Sequence, residues 1–211
     1  TSDNHFDVNK IDEDYMVQKQ AKYLLKNKIG VYLIAGDLFN KFSRSMRYVE
    51  MLQELVGDHT KVFFVAGNHD MLNDIEYDQL ESDLSPLYLH NKFYDVPGTE
   101  WRIIGNNGWI DYTFADNVDK TTEQFWRWKK SLWIDTGIEQ PMSDIERMDI
   151  VLKQTEEQLE RASDKKILFV THFAVRHEYI HYAKEARFWN MINGMAGSRR
   201  MDKLLDRYQP Q

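Results

Sequence analysis

The chain contains no cysteine. That absence excludes disulfides, thiolate zinc sites and cysteine nucleophiles together, and it makes a reducing cytoplasm the expected location. Long apolar runs are also missing. The longest, such as VYLIAG and KILFV, are far too short to cross a bilayer, and no signal-peptide pattern opens the sequence, so no membrane partner is expected. There is no internal repeat, low-complexity tract or linker, so residues 1–211 read as a single domain. Positive charge is in deficit. With 27 Lys and Arg against 34 Asp and Glu, the net charge is −7, which disfavours extended DNA or RNA as a partner. A small phosphate ester stays open, because metal ions can supply the missing positive charge.

What is present suits a soluble α/β protein. In 211 residues, 42% hydrophobic content is enough for a sizeable core. The periodicity predicts a helix over about Asp12 to Asn27, with Tyr15, Met16, Lys19, Tyr23 and Leu24 sharing a face, followed by the strand VYLIA. After Asp37, Ser43 can cap a second helix carrying Met46, Val49, Leu52 and Leu55, which ends at Gly57 ahead of the strand KVFFVA. Helix, strand, helix, strand is the order of crossover units on a sheet.

The middle changes character. Short aromatic and β-branched runs broken by Pro97–Gly98 and Asn107–Gly108 predict hairpins or edge strands. Thr121 with Gln124 and Ser143 with Glu146 form capping boxes for two further helices, the second running to about Arg161. Trp126, Trp128 and Trp133 on and beside the first of these helices read as packing. A last apolar run, KKILFV, ends at Thr171–His172.

Three strand-like runs therefore end in side chains able to bind a ligand: Asp37 after VYLIAG, Asn68 and His69 after FFVAG, and His172 after ILFVT. In open α/β sheets the crevice outside the carboxyl ends of the strands is where ligands bind. The opening SDNH adds Asp3 and His5, which would point the same way in an extended chain. Carboxylate, imidazole and amide oxygen without thiolate suit manganese, iron, zinc or nickel better than magnesium. Each piece alone is weak, but their joint occurrence in this order is hard to obtain by chance.

The order SDNH, GDLFN, GNHD, VTHF resembles the calcineurin-like metallophosphoesterase family. That family carries Asp-x-His, Gly-Asp, Gly-Asn-His-Asp/Glu, a separate His, and Gly-His-x-His. The resemblance implies a four-layer αββα sandwich of two mixed sheets flanked by helices. It implies two divalent metal ions, with Asp3 and His5 on the first, Asp37 bridging, and Asn68 and His172 on the second. A hydroxide bridging the metals would attack phosphorus in a phosphomonoester or phosphodiester. His69 would stabilise developing charge and protonate the leaving oxygen. Asn68 and Arg176 are candidate substrate contacts, and Asp70 is expected to fix the loop.

Two departures matter. Where the family often has an acid to orient the catalytic imidazole, this chain has Asn40, which can accept a hydrogen bond from the ring but cannot raise its pKa by charge. Gly-His-x-His is absent, and no apolar strand precedes TSDNHF. The simplest inference is a piece of a longer protein lacking its first and last strands. The competing idea is that His177 and His181, four apart, replace the missing ligands from one face of a helix. Arg176, Arg199 and Arg200 read either as phosphate contacts or, preferably, as basic groups neutralising nearby acids. Two alternatives to a small-molecule phosphoesterase stay open: a non-catalytic interaction protein on the same fold, and a nuclease using the same metal centre.

Overall fold

The computed structural model describes residues 1–210. The chain divides into two compact units, Thr1–His90 and Asn91–Gln211, and each is an α/β assembly built on its own sheet.

In the N-terminal unit, helix α1 (Glu13–Lys26) starts at the Asp12 cap, whose carboxylate accepts the Tyr15 N–H at 2.8 Å. Its buried residues are Val17, Ala21 and Leu24, whereas Tyr15 and Tyr23 are 61% and 64% exposed. The expected face was therefore rotated: the tyrosines drew it toward solvent, while the small and branched residues spaced four and three apart make the contact with the core. Strand β1 (Val31–Ala35) and strand β2 (Lys61–Val65) pair in parallel, Val31 opposite Lys61 through Ala35 opposite Val65. Between them runs helix α2 (Phe42–Val56), burying Met46, Val49, Leu52 and Val56. Full burial of such side chains contributes roughly 1.5–3 kcal/mol each.

Helix α2 begins two residues earlier than Ser43 would dictate. Lys41 occupies the cap position, and the Ser43 hydroxyl donates instead to Asp74 at 2.5 Å. The helix stops at Gly57, whose φ of 55° is left-handed and open to glycine at no steric cost. Glu13 on α1 receives Arg47 at 2.8 Å and Arg44 as well, clamping the two helices together. Beyond β2, helix α3 (Tyr77–Leu80) leads to Tyr88, which bridges Phe64 in parallel.

The C-terminal unit holds the mixed sheet. Strand β3 (Lys92–Asp95) and strand β4 (Trp101–Gly105) form the antiparallel hairpin expected around Pro97–Gly98, and strand β5 (Lys166–Val170) adds in parallel beside β4. Helix α4 (Thr122–Leu132) and helix α5 (Asp144–Glu160) both start with the capping boxes read from the sequence. Helix α6 (Arg187–Asn193) and helix α7 (Arg199–Tyr208) follow β5. Asn107–Gly108 is not a hairpin turn. Its chain is fastened to the end of β5, Asn106 N–H donating to the Val170 carbonyl at 3.0 Å. The tertiary partner overrides the local turn preference.

No described helix is long and apolar enough to cross a membrane.

Candidate metal centre

The first six residues run beside β1 and are tied to it by backbone hydrogen bonds. Ala35 N–H donates to the Thr1 carbonyl at 2.8 Å, Asp3 N–H to Gly36 at 3.1 Å, and His5 N–H to Asp37 at 2.9 Å. The segment is not extended as expected from the alternation argument. Asp3 and His5 have φ of 55° and 44°, and Asp37 has 59°. Left-handed backbone at non-glycine residues costs free energy and concentrates at functional sites. Here it turns Asp3 and His5 toward Asp37 by curling the chain, where regular alternation would have done so by extension.

The side chains converge on a gap. His5 Nε2 stands 3.6 Å from the Asp37 carboxylate and 3.9 Å from that of Asp3. Both distances exceed a hydrogen bond. They match two donor atoms on one cation, since bonds of about 2.0–2.2 Å set neighbouring ligands roughly 3–4 Å apart. His5 Nδ1 is buried with no hydrogen-bond partner. A histidine kept for packing would bond through at least one nitrogen; this ring bonds through neither, which is the arrangement of a ligand. His5, Asp37 and His69 also offer donor atoms that all lie within 4.8 Å of one another. The Asp37 carboxylate is itself buried, at 2% exposure, where an unneutralised charge is costly. The donor set therefore fits a divalent cation.

The loop after β2 is held against Asp37 by close approach. A Cβ on Gly67 would sit 2.1 Å from the Asp37 carboxylate oxygen, so only glycine fits there. His69 N–H donates to Asp37 at 2.9 Å. The imidazole stands edge-on to His5, 4.5 Å between ring centres, and its Nδ1 lies 2.7 Å from Asn40 Oδ1. An amide oxygen only accepts, so Nδ1 carries the proton in this pair. Asn40 is fixed in turn: its N–H donates to Asp7 at 2.9 Å and its carbonyl accepts from Asn73 at 2.8 Å. Neither Asp7 nor Asn73 was readable as a supporter, because nothing in their spacing marks a contact made over thirty residues away. Asn68 precedes His69 on this loop and is half-buried.

Asp70 does what the sequence led us to expect of it. Fully buried, it accepts N–H groups of Asp37 at 2.6 Å, Gly67 at 2.9 Å, Leu38 at 3.1 Å and Phe39 at 3.3 Å, together with the Ser45 hydroxyl. Burial pushes its carboxyl above the usual range, and these donors pull it back. One side chain thus stitches the two strand-end loops to α2.

In the C-terminal unit, His172 follows β5 and packs edge-on against Phe173, 5.2 Å between ring centres. Its N–H meets the Asn107 carbonyl at 3.4 Å. Gly108, with φ of 79°, lies where a Cβ would strike Thr171 Oγ1 at 2.4 Å, so Asn107–Gly108–Trp109 forms the backing of the strand end that carries His172. Arg176 pairs with Asp202 at 3.0 Å and with Asp206. Arg199 pairs with Asp116 at 2.6 Å, and Arg200 with Asp149. Each of these arginines is thus ion-paired to an acid. His177 and His181 share no helix: His177 opens a single 3₁₀ turn beside Asp202, and His181 lies in irregular chain. The four-residue spacing has no common face to act from.

Comparison with known proteins bears on this geometry in two ways. The model of the calcineurin-like phosphoesterase family matches residues 1–210. A solved phosphopantetheinyl hydrolase from Mycobacterium tuberculosis superposes with a TM-score of 0.67 at 14% identity, covering 86% of this chain and 70% of that one. At that identity the likeness speaks to the fold, which is the metallophosphatase fold. No curated protein sequence matches. The chain belongs to the calcineurin-like phosphoesterase family.

Proposed function

We propose that this protein hydrolyses a small phosphomonoester or phosphodiester at a centre of two divalent metal ions, with manganese, iron, zinc or nickel the metals suited to its nitrogen and oxygen donors. The observation that carries the reading is the His5 ring, unbonded at both nitrogens and set 3.6 Å and 3.9 Å from two carboxylates. Asp3, His5 and Asp37 would hold metal. The family pattern assigns Asn68 and His172 as further ligands, and that part of the proposal rests on the pattern alone. When bound, the cations would acidify water and draw charge from the phosphoryl oxygens.

The remaining work falls to the protein's own groups. Asn40 holds the His69 proton on Nδ1, which leaves Nε2 to carry or release a proton toward the leaving oxygen. Because Asn40 is neutral, it orients the ring without stabilising an imidazolium as a carboxylate would. Acid assistance is then weak, and esters with good leaving groups should be preferred. Arg176 would reach phosphate only by leaving Asp202 and Asp206, so we give it a lesser part. The acidic balance of the chain favours a small substrate over a polynucleotide.

The test is turnover of aryl phosphate monoesters and diesters by protein loaded with each metal in turn. Hydrolysis that rises steeply as the leaving phenol becomes more acidic supports the reading. Stoichiometric metal with no ester cleaved would make the protein a scaffold, against which the ordered His69–Asn40 pair argues. Salt-dependent cleavage of DNA alone would make it a nuclease.

A further inference from the structure

In the C-terminal unit, a cleft of about 380 Å³ is lined by Lys120, Gln124, Trp128, Arg187, Phe188 and Met191. Its size lies within the range of small-ligand sites. Trp128 on α4 stacks on Trp133 at 6.1 Å, and Phe188 on α6 leans over it at 5.5 Å and 60°. Phe188 is nonetheless 58% exposed and its neighbour Trp189 50%. Aromatic side chains left open at this density mark a recognition surface more often than packing.

The charge around the cleft is as telling as its rings. Among the described residues, neither Lys120 nor Arg187 has an acidic partner. Other described cations of the unit, Lys153 and Lys203 among them, also lack an ion pair, but Lys120 and Arg187 are the two that line this cleft. In a chain with seven surplus negative charges, two unpaired cations beside exposed rings call for an anionic ligand with a flat face.

We propose that this cleft binds a mononucleotide, its base stacked on the open face of Phe188 and its phosphate met by Lys120 and Arg187. An acyl chain would call for aliphatic walls, and Met191 is the one aliphatic apolar side chain in the lining. A polynucleotide would meet the acidic remainder of the protein and outgrow the volume. The inference is independent of the metal centre, since every residue it uses lies on α4, α6 or the turn before α4.

Calorimetric titration of the whole chain with AMP tests it, run in parallel on Asp37→Asn so that phosphate captured by metal does not count. A site of equal affinity in both proteins is expected, with any additional phosphate capture at the metal centre confined to the native protein. Phe188→Ala, an exposed substitution, should weaken it about tenfold, the usual worth of one stacked ring. Lys120→Glu combined with Arg187→Glu should weaken it further and remove its salt dependence. Ribose 5-phosphate and octyl phosphate should each bind at least about tenfold more weakly than AMP, by the same stacking term. The proposal is overturned if Asp37→Asn abolishes binding or Phe188→Ala leaves it intact. Either control phosphate matching AMP, or an oligoadenylate binding more tightly than AMP, would overturn it too.

Discussion

Each unit buries a carboxylate amid converging donors, and the two differ in what stands beside it. In the C-terminal unit the Asp144 carboxylate accepts from Trp109 Nε1 at 2.9 Å, Lys129 at 2.7 Å, Gln140 at 3.0 Å and the Tyr112 hydroxyl. Arg147 caps the cluster, 3.6 Å over the Trp109 ring. Each of these donors to the carboxylate comes from inside the unit, and the cluster is structural. In the N-terminal unit Asp70 is satisfied in the same manner, yet a few ångströms along the same loops His5 bonds through neither nitrogen. Satisfied groups hold the fold, whereas an imidazole bare at both nitrogens and facing two carboxylates has the arrangement of a metal ligand.

The sharpest way to break this contrast is at Asp37. Asp37→Asn keeps the shape and removes the charge, so turnover should fall by more than about 100-fold, beyond the loss typical of groups outside the ligand set. A modest loss would mean the gap holds no cation. Next in size is Asp144→Ala, which strands Lys129 and Tyr112 in the interior. It should destabilise by about 3 kcal/mol in urea unfolding while leaving the rate per folded molecule unchanged. A drop in that rate would undo the division between structural and functional clusters.

Acid unfolding sharpens the same point. Burial alone would raise the Asp144 carboxyl, but Lys129 and the Tyr112 and Trp109 donors hold it below its ordinary value. A carboxyl depressed in the folded state stabilises above its unfolded pKa of about 3.9, and that contribution is lost as pH falls through the folded value. Asp144→Asn should therefore flatten the stability profile below about pH 4, seen by thermal melts across pH.

His69→Ala should cut the rate about 100-fold with metal content unchanged, as for a general acid; loss of metal would make His69 a ligand. Smallest is Asn40→Asp, which restores a charge beside the His69 ring. It should raise turnover of esters with poor leaving groups by roughly tenfold or less and leave aryl esters nearly unaffected.

How much of this was legible beforehand follows the range of the interactions. Capping boxes at Thr121 and Ser143 and the hairpin at Pro97–Gly98 were readable because their partners lie within a few residues. The strand ends were readable because apolar runs stop there. The buried face of α1 was misjudged because exposed tyrosines carry the same apolar weight as core residues. Asn107–Gly108 looked like a turn because its true partners, Val170 and Thr171, are some sixty residues away. The curled backbone at Asp3 and His5 left no mark on the sequence, since neither residue is a glycine.

Metal analysis of the purified protein, set beside that of Asp37→Asn, tests the account most directly. Two divalent ions per chain are expected in the native protein and a clear loss of both in the variant. Native protein that takes up no divalent metal at saturating concentration, or a variant that keeps its full complement, would contradict the assignment of the gap beside His5 to a cation.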